Sequence, residues 1–105
     1  MAYDRLRTKL TKENLWLYIL RMLMERPMYA YEISKNLKDR FGFSTATITV
    51  YVVLYKMLFE GLININQEER PTGRPDRKYY EITEKGTKSL KMGTEFLEKT
   101  IKKLS

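Results

Sequence analysis

Two stretches of the sequence carry side chains suited to holding phosphate. In the first, Ser44, Thr45, Thr47 and Thr49 are followed by Tyr51 and Lys56. Hydroxyls can donate to phosphate oxygens, and threonine methyls can touch the C5-methyl group of thymine. In the second, Arg70, Arg74, Arg77 and Lys78 are interrupted by a single acid, Asp76. Pro71 and Pro75 stiffen that stretch, which lowers the entropy lost when it orders on a ligand. The plain reading of these basic residues is a solvated turn. A basic loop contributes little to the stability of a fold, however, and phosphate is the partner that suits it best. On a strand Arg77 and Lys78 would point to opposite faces, so one of the two is expected to face the ligand.

Other chemistry is largely removed by composition. The chain has no Cys and no His, which excludes thiolate nucleophiles, imidazole acid–base catalysis, disulfides and every zinc site built on those residues. A carboxylate-only magnesium site and a Lys or Tyr acid–base group remain. The five glycines (Gly42, Gly61, Gly73, Gly86 and Gly93) are scattered and make no phosphate-cradling loop. No enzyme activity, cofactor or metal is expected. Twenty Lys and Arg against thirteen Asp and Glu give a formal net charge of +7, which favours nucleic acid first and an anionic membrane surface second.

The elements that must position these groups follow from spacing. With 105 residues, 43% of them hydrophobic and 31% charged, the chain suits one globular unit. No apolar run approaches the roughly 18 residues of a membrane span, and the longest, Leu15 to Met24, is interrupted by Arg21. The first residues lack the basic-then-apolar order of a secretory signal, so a cytoplasmic location is expected. Residues 1–10 read as a short arm or helix anchored by Tyr3, Leu6 and Leu10. A first helix is predicted from Thr11 as N-cap, with Leu15, Ile19 and Leu23 at four-residue steps and Trp16 and Leu20 beside them, ending before Pro27. A second runs from about Tyr29 to Phe41 on an Ala30, Ile33, Leu37 and Phe41 stripe, closed by Gly42.

The third segment is ambiguous locally, because Thr45 to Val53 is dominated by β-branched residues and alternates like a strand. Yet Val50, Leu54, Met57 and Leu58 continue at helical spacing to Gly61, too long a run for a typical strand. A helix starting between Ser44 and Thr47 is therefore predicted. Its other face, Ile48, Val52, Tyr55 and Phe59, is too apolar for free solvent and calls for cover by the N-terminal arm or a partner subunit. Leu62 to Gln67 alternates as a strand, residues 68–76 form a loop, and Arg77 to Ile82 is a second strand. Thr83 then caps a last helix, in which Thr87, Leu90, Thr94, Leu97, Ile101 and Leu104 recur at three- and four-residue steps as a coiled-coil-like seam. A rod of roughly 30 Å cannot bury that seam against so small a domain, so Leu90, Leu97, Ile101 and Leu104 are expected to meet a second copy.

Three helices, a hairpin and a long helix make a mainly α fold with a small β-hairpin: a winged helix-turn-helix followed by a dimerisation helix. Residues 1–83 form the winged-helix unit with its N-terminal arm, and residues 84–105 the terminal helix packed as part of the same body. In such a plan the third helix enters the major groove and the hairpin loop lies on the backbone or minor groove. The partner is then double-stranded DNA, bound at Ser44, Thr45, Thr47, Thr49, Tyr51, Lys56, Arg70, Arg74, Arg77 and Lys78. A sequence-specific regulator and a non-specific or protein-binding module both fit.

A specific resemblance narrows this. Thr72-Gly73-Arg74-Pro75-Asp76-Arg77-Lys78-Tyr79-Tyr80-Glu81-Ile82-Thr83-Glu84-Lys85-Gly86 resembles the wing of PadR-family transcriptional regulators. Arg26-Pro27-Met28-Tyr29-Ala30-Tyr31-Glu32-Ile33 and Glu60-Gly61-Leu62-Ile63 resemble two upstream motifs of the same family, in the same order. The resemblance implies a homodimeric repressor that binds an inverted repeat, with Tyr51 on the DNA backbone and the C-terminal helix in the dimer. It departs from the family at Ala46-Thr47-Ile48, which replace the usual Ser-Pro-Gly, at Val52, which replaces a proline, and at Tyr29-Ala30, which replace His-Gly. Some relatives sense small aromatic molecules. Tyr3, Trp16, Tyr18, Tyr29 and Tyr31 accordingly have two readings: core and interface packing, or a pocket for a small aromatic effector at the dimer interface.

Overall fold

A computed structural model describes residues 1–66 and 77–105. Helix α1 spans Ala2–Leu10, α2 Leu15–Leu23, α3 Ala30–Phe41 and α4 Thr47–Phe59; strands β1 (Ile63–Asn66) and β2 (Tyr79–Ile82) follow, and α5 spans Glu84–Leu104. The N-terminal residues are thus helical, and every side chain of α1 is exposed. Thr11 does not cap the next helix as expected. Its hydroxyl donates back to the carbonyl of Arg7 at 2.6 Å, a bond that a threonine makes as readily as a cap. A 3₁₀ turn, Lys12–Asn14, then leads into α2.

The ends of α3 and α4 are set by local chemistry. The Tyr29 amide donates to the Glu32 carboxylate at 3.2 Å, satisfying one donor at the start of α3. Gly42 takes φ of 76° and its amide bonds the Lys38 carbonyl at 3.1 Å, a left-handed stop that side chains with a Cβ resist. At the end of α4, Leu62 donates to the carbonyl of Met57 and Gly61 to that of Leu58. With Gly61 at φ 77° this is the paired bonding of a Schellman stop. The β-branched run therefore resolves as helix, starting at Thr47, with Val50, Leu54 and Met57 on the buried stripe.

β1 and β2 pair antiparallel with Ile63 opposite Ile82 and Asn66 opposite Tyr79. A third segment joins them. Met28, in the link between α2 and α3, exchanges two hydrogen bonds with Tyr80, at 3.1 and 2.8 Å. The core runs beneath this hairpin, from Leu15, Ile19, Leu20, Met22 and Leu23 of α2 through Ile33 and Leu37 of α3 to Ile63 and Tyr80. No charged or polar side chain is buried among the described residues.

Thr83 caps α5, accepting from the Gly86 amide at 3.0 Å while donating to the Gly61 carbonyl at 2.7 Å. Two glycines let α5 approach its neighbours closely. A Cβ on Gly86 would lie 2.2 Å from the Leu62 carbonyl oxygen, and one on Gly93 would lie 3.1 Å from both Trp16 and Leu17. One seam residue moves inside as a result. Leu90 is only 8% exposed, within the chain's own core, so it offers little surface to the second copy it was expected to meet. Farther along, Leu97 is half-buried, while Ile101 and Leu104 are 64% and 83% exposed.

Candidate nucleic-acid interface

Tyr51 of the first phosphate-suited stretch and Arg77 and Lys78 of the second line one cleft of roughly 530 Å³. Tyr51, Tyr55 and Leu58 of α4 form one wall, Tyr29, Ala30 and Tyr31 at the start of α3 another, and Arg77, Lys78 and Tyr80 at the start of the second strand the third. Tyr80 forms the floor. Its phenol is pushed up from the ordinary value by burial and by the nearby Tyr51 hydroxyl, so it stays neutral at any ordinary pH. Tyr51 above it is half exposed, with its hydroxyl available to an acceptor.

Arg77 and Lys78 precede the first paired strand residue, Tyr79, and both line the cleft. The expected division of the pair between two faces does not occur, because strand alternation starts only after them. The Arg77 guanidinium lies 4.2 Å from the centre of the Tyr29 ring, within cation–π range. Among the described residues it has no carboxylate partner. The cleft thus holds, among the described residues, two cations and several phenols with no acid on its walls.

The remaining candidates are distributed around α4. Thr47 is exposed in the first turn, on the Tyr51 side of the helix. At about 100° per residue, Lys56 stands about 140° round from Tyr51, and it borders a separate recess with Trp16, Lys12 and Lys85. Thr49, half-buried, is on that same far flank. Ser44 and Thr45 belong to the extended lead-in before α4, Ser44 exposed and Thr45 half-buried, and Ser44 borders α1. Arg70 and Arg74 lie outside the described residues. Sequence reading did not assign Tyr29, Tyr31 or Tyr55 to the site. Tyr55 had a signal, standing one turn from Tyr51; Tyr29 had none, since only the Met28–Tyr80 pairing brings it there.

The face formed by Ile48, Val52, Tyr55 and Phe59 is open, at 73%, 50%, 78% and 91% exposure. Helix α1 does not cover it. Within one chain the five aromatic residues considered as an effector pocket do not share one space, though Tyr29 and Tyr31 both line the cleft. Trp16 packs on Gly93, Tyr18 sits edge-on to Phe41 and Phe43, Tyr29 faces Tyr79, Tyr3 meets Arg7, and Tyr31 is exposed.

Helices α2, α3 and α4, the antiparallel hairpin and the trailing α5, with a cationic cleft between α4 and the hairpin, define a winged helix-turn-helix protein. Residues 19–92 match the model of the transcriptional regulator PadR-like family, and the chain belongs to that family. It is a transcriptional regulator, not an enzyme. A PadR-like regulator from Bacillus cereus is 31% identical over 91% of this chain and 95% of its own, with a TM-score of 0.71. A transcriptional regulator from Clostridium thermocellum is 27% identical over 99% and 94%, with a TM-score of 0.75. Bacillus subtilis PadR, solved in complex with operator DNA, is 26% identical over 76% of this chain and 45% of its own, with a TM-score of 0.66. No curated protein matches the chain. No helix among the described residues is long and apolar enough to cross a membrane.

Proposed function

We propose that the chain is a repressor that binds an inverted repeat in double-stranded DNA as a homodimer. The observation that carries this reading is the cleft itself: Tyr51 of α4 and Arg77 and Lys78 at the base of the hairpin face one space. A phosphate strand lying there would meet two cations and a phenolic donor at once. The likeness to a relative solved with operator DNA and the net charge of +7 support it. In this arrangement α4 lies in the major groove, with Ser44, Thr45 and Thr47 at its leading end, Thr49 and Lys56 on the far flank, and Arg70 and Arg74 carried by the wing.

The make-up of α4 constrains what it reads. Its thirteen residues, Thr47 to Phe59, include no Arg, Asn, Gln, Asp or Glu; of the long side chains that read guanine, adenine or cytosine edges they hold Lys56 alone, on the far flank. Exposed Thr47, Ile48 and Val52 instead present methyl groups, which suit thymine. The same make-up favours a second reading, a winged helix that binds DNA with little sequence preference. A small aromatic effector, and dimer contacts through Leu97, Ile101 and Leu104, complete the proposal. They rest on family resemblance and on the open end of α5.

Fluorescence anisotropy of the protein on a duplex from its own promoter, against a scrambled duplex over a range of salt concentrations, tests the two readings. A regulator should prefer its site by roughly 10³-fold or more. Equal, salt-sensitive binding to both duplexes would select the non-specific reading, and no binding at low salt would overturn both.

A further inference from the structure

The link between α2 and α3 and the base of the hairpin are joined by the two Met28–Tyr80 hydrogen bonds. In an antiparallel pairing the next residues outward, Tyr29 and Tyr79, then stand opposite each other, and their rings are 5.4 Å apart. Arg77, just before the strand begins, reaches this pair: its guanidinium lies over Tyr29, 4.2 Å from the ring centre. Tyr29 is itself held from behind. Its amide donates to Glu32 at 3.2 Å, and Arg26 pairs with that same carboxylate at 2.9 Å.

We propose that Tyr29 is a positioning residue for nucleic-acid binding: its ring holds the Arg77 guanidinium at the cleft, preset for a backbone phosphate. This rests on the DNA reading of the cleft. A free arginine has many rotamers to lose when it binds, whereas one already held over a ring loses fewer for each hydrogen bond it makes. Holding by the ring face also leaves the N–H donors for an acceptor, which an ion pair would occupy. Arg77 has no carboxylate partner among the described residues.

The test uses the full chain and a fluorescein-labelled duplex of mixed sequence, since a phosphate contact acts on any sequence. Arg77→Ala should weaken binding and lower the salt slope by about one. Tyr29→Leu should weaken binding roughly two- to fivefold, the size of an exposed cation–π contact, while Tyr29→Phe keeps wild-type affinity. In an Arg77→Ala background, Tyr29→Leu should have no further effect. In the free protein, the upfield ring-current shift of the Arg77 δ-protons should disappear in Tyr29→Leu and persist in Tyr29→Phe. A Tyr29→Leu loss of equal size with and without Arg77 would overturn the role, as would a normal affinity in Tyr29→Leu. If the wild-type chain ignores the duplex, the DNA reading fails and this role with it. If the wild type binds and only Arg77→Ala is weakened, Tyr29 alone is removed.

Discussion

Gly86 and Leu62 stand so close that a Cβ on Gly86 would lie 2.2 Å from the Leu62 carbonyl oxygen. This contact seats the first turn of α5 against the end of α4, beside the Thr83 cap. The constraint is steric. Gly42 has the opposite character: its φ is +76°, but nothing lies within 4 Å of a Cβ built there. Gly86→Ala should therefore cost about 3 kcal/mol, the upper range for overpacking, and Gly42→Ala about 1 kcal/mol of backbone strain. Urea unfolding followed by circular dichroism would order the two, and equal midpoints would refute the distinction.

Thr83 makes two bonds with one hydroxyl, accepting from Gly86 and donating to Gly61. Thr83→Val keeps the shape and removes both. A loss of about 1 kcal/mol is expected from the cap, which for a domain of this size lowers the thermal midpoint by about 4–8 °C. A midpoint within a degree or so of wild type would show that water replaces the hydroxyl at no cost.

How much of this was legible beforehand differs by element. The end of α4 was readable because Gly61 and the Val50–Leu54–Met57 spacing outweigh β-branched propensity once tertiary burial is available. The start of α2 was misread, because a threonine hydroxyl can bond forward as a cap or backward to a carbonyl, and Thr11 does the latter. Leu90 follows the seam by spacing, yet it lies inside because Gly86 and Gly93 bring α5 close to its own domain. Of the cleft, Tyr51, Arg77 and Lys78 were visible as residue types. Tyr29 was not, since its place depends on a pairing between distant segments that leaves no local pattern.

Glu25 supplies a pH-dependent term. The Arg40 guanidinium donates to it at 3.0 and 2.8 Å, and this hydrogen bonding, with the nearby charges of Arg40 and Arg21, holds its carboxyl below the ordinary value despite some desolvation. A carboxyl lowered on folding adds stability above its unfolded value and loses it as pH falls through the folded one. The gap in thermal midpoint between wild type and Glu25→Gln should be constant near neutrality and shrink on acidification. The exposed setting keeps the effect small and sensitive to salt. A gap that widens in acid would contradict the sign.

Ile101 and Leu104 project from the last turns of α5 with most of their surface open. Ile101→Glu should leave the fold of one chain intact, since that side chain contributes little to its own core. Light scattering should then give the mass of a single 12.6 kDa chain, against twice that for the wild type. An unchanged dimer mass would remove this end of α5 from the interface.

The Met28–Tyr80 bridge has a kinetic consequence. It fastens together two points of the chain with α3, α4 and β1 between them, a contact whose closure entropy is high and which forms only once those elements have condensed. The Tyr80 amide, bonded to Met28 at 2.8 Å, would then exchange with solvent deuterium no faster than the whole domain opens. The base of the wing would share the slowest exchange class with the centre of α2, leaving the helix ends to report the local openings.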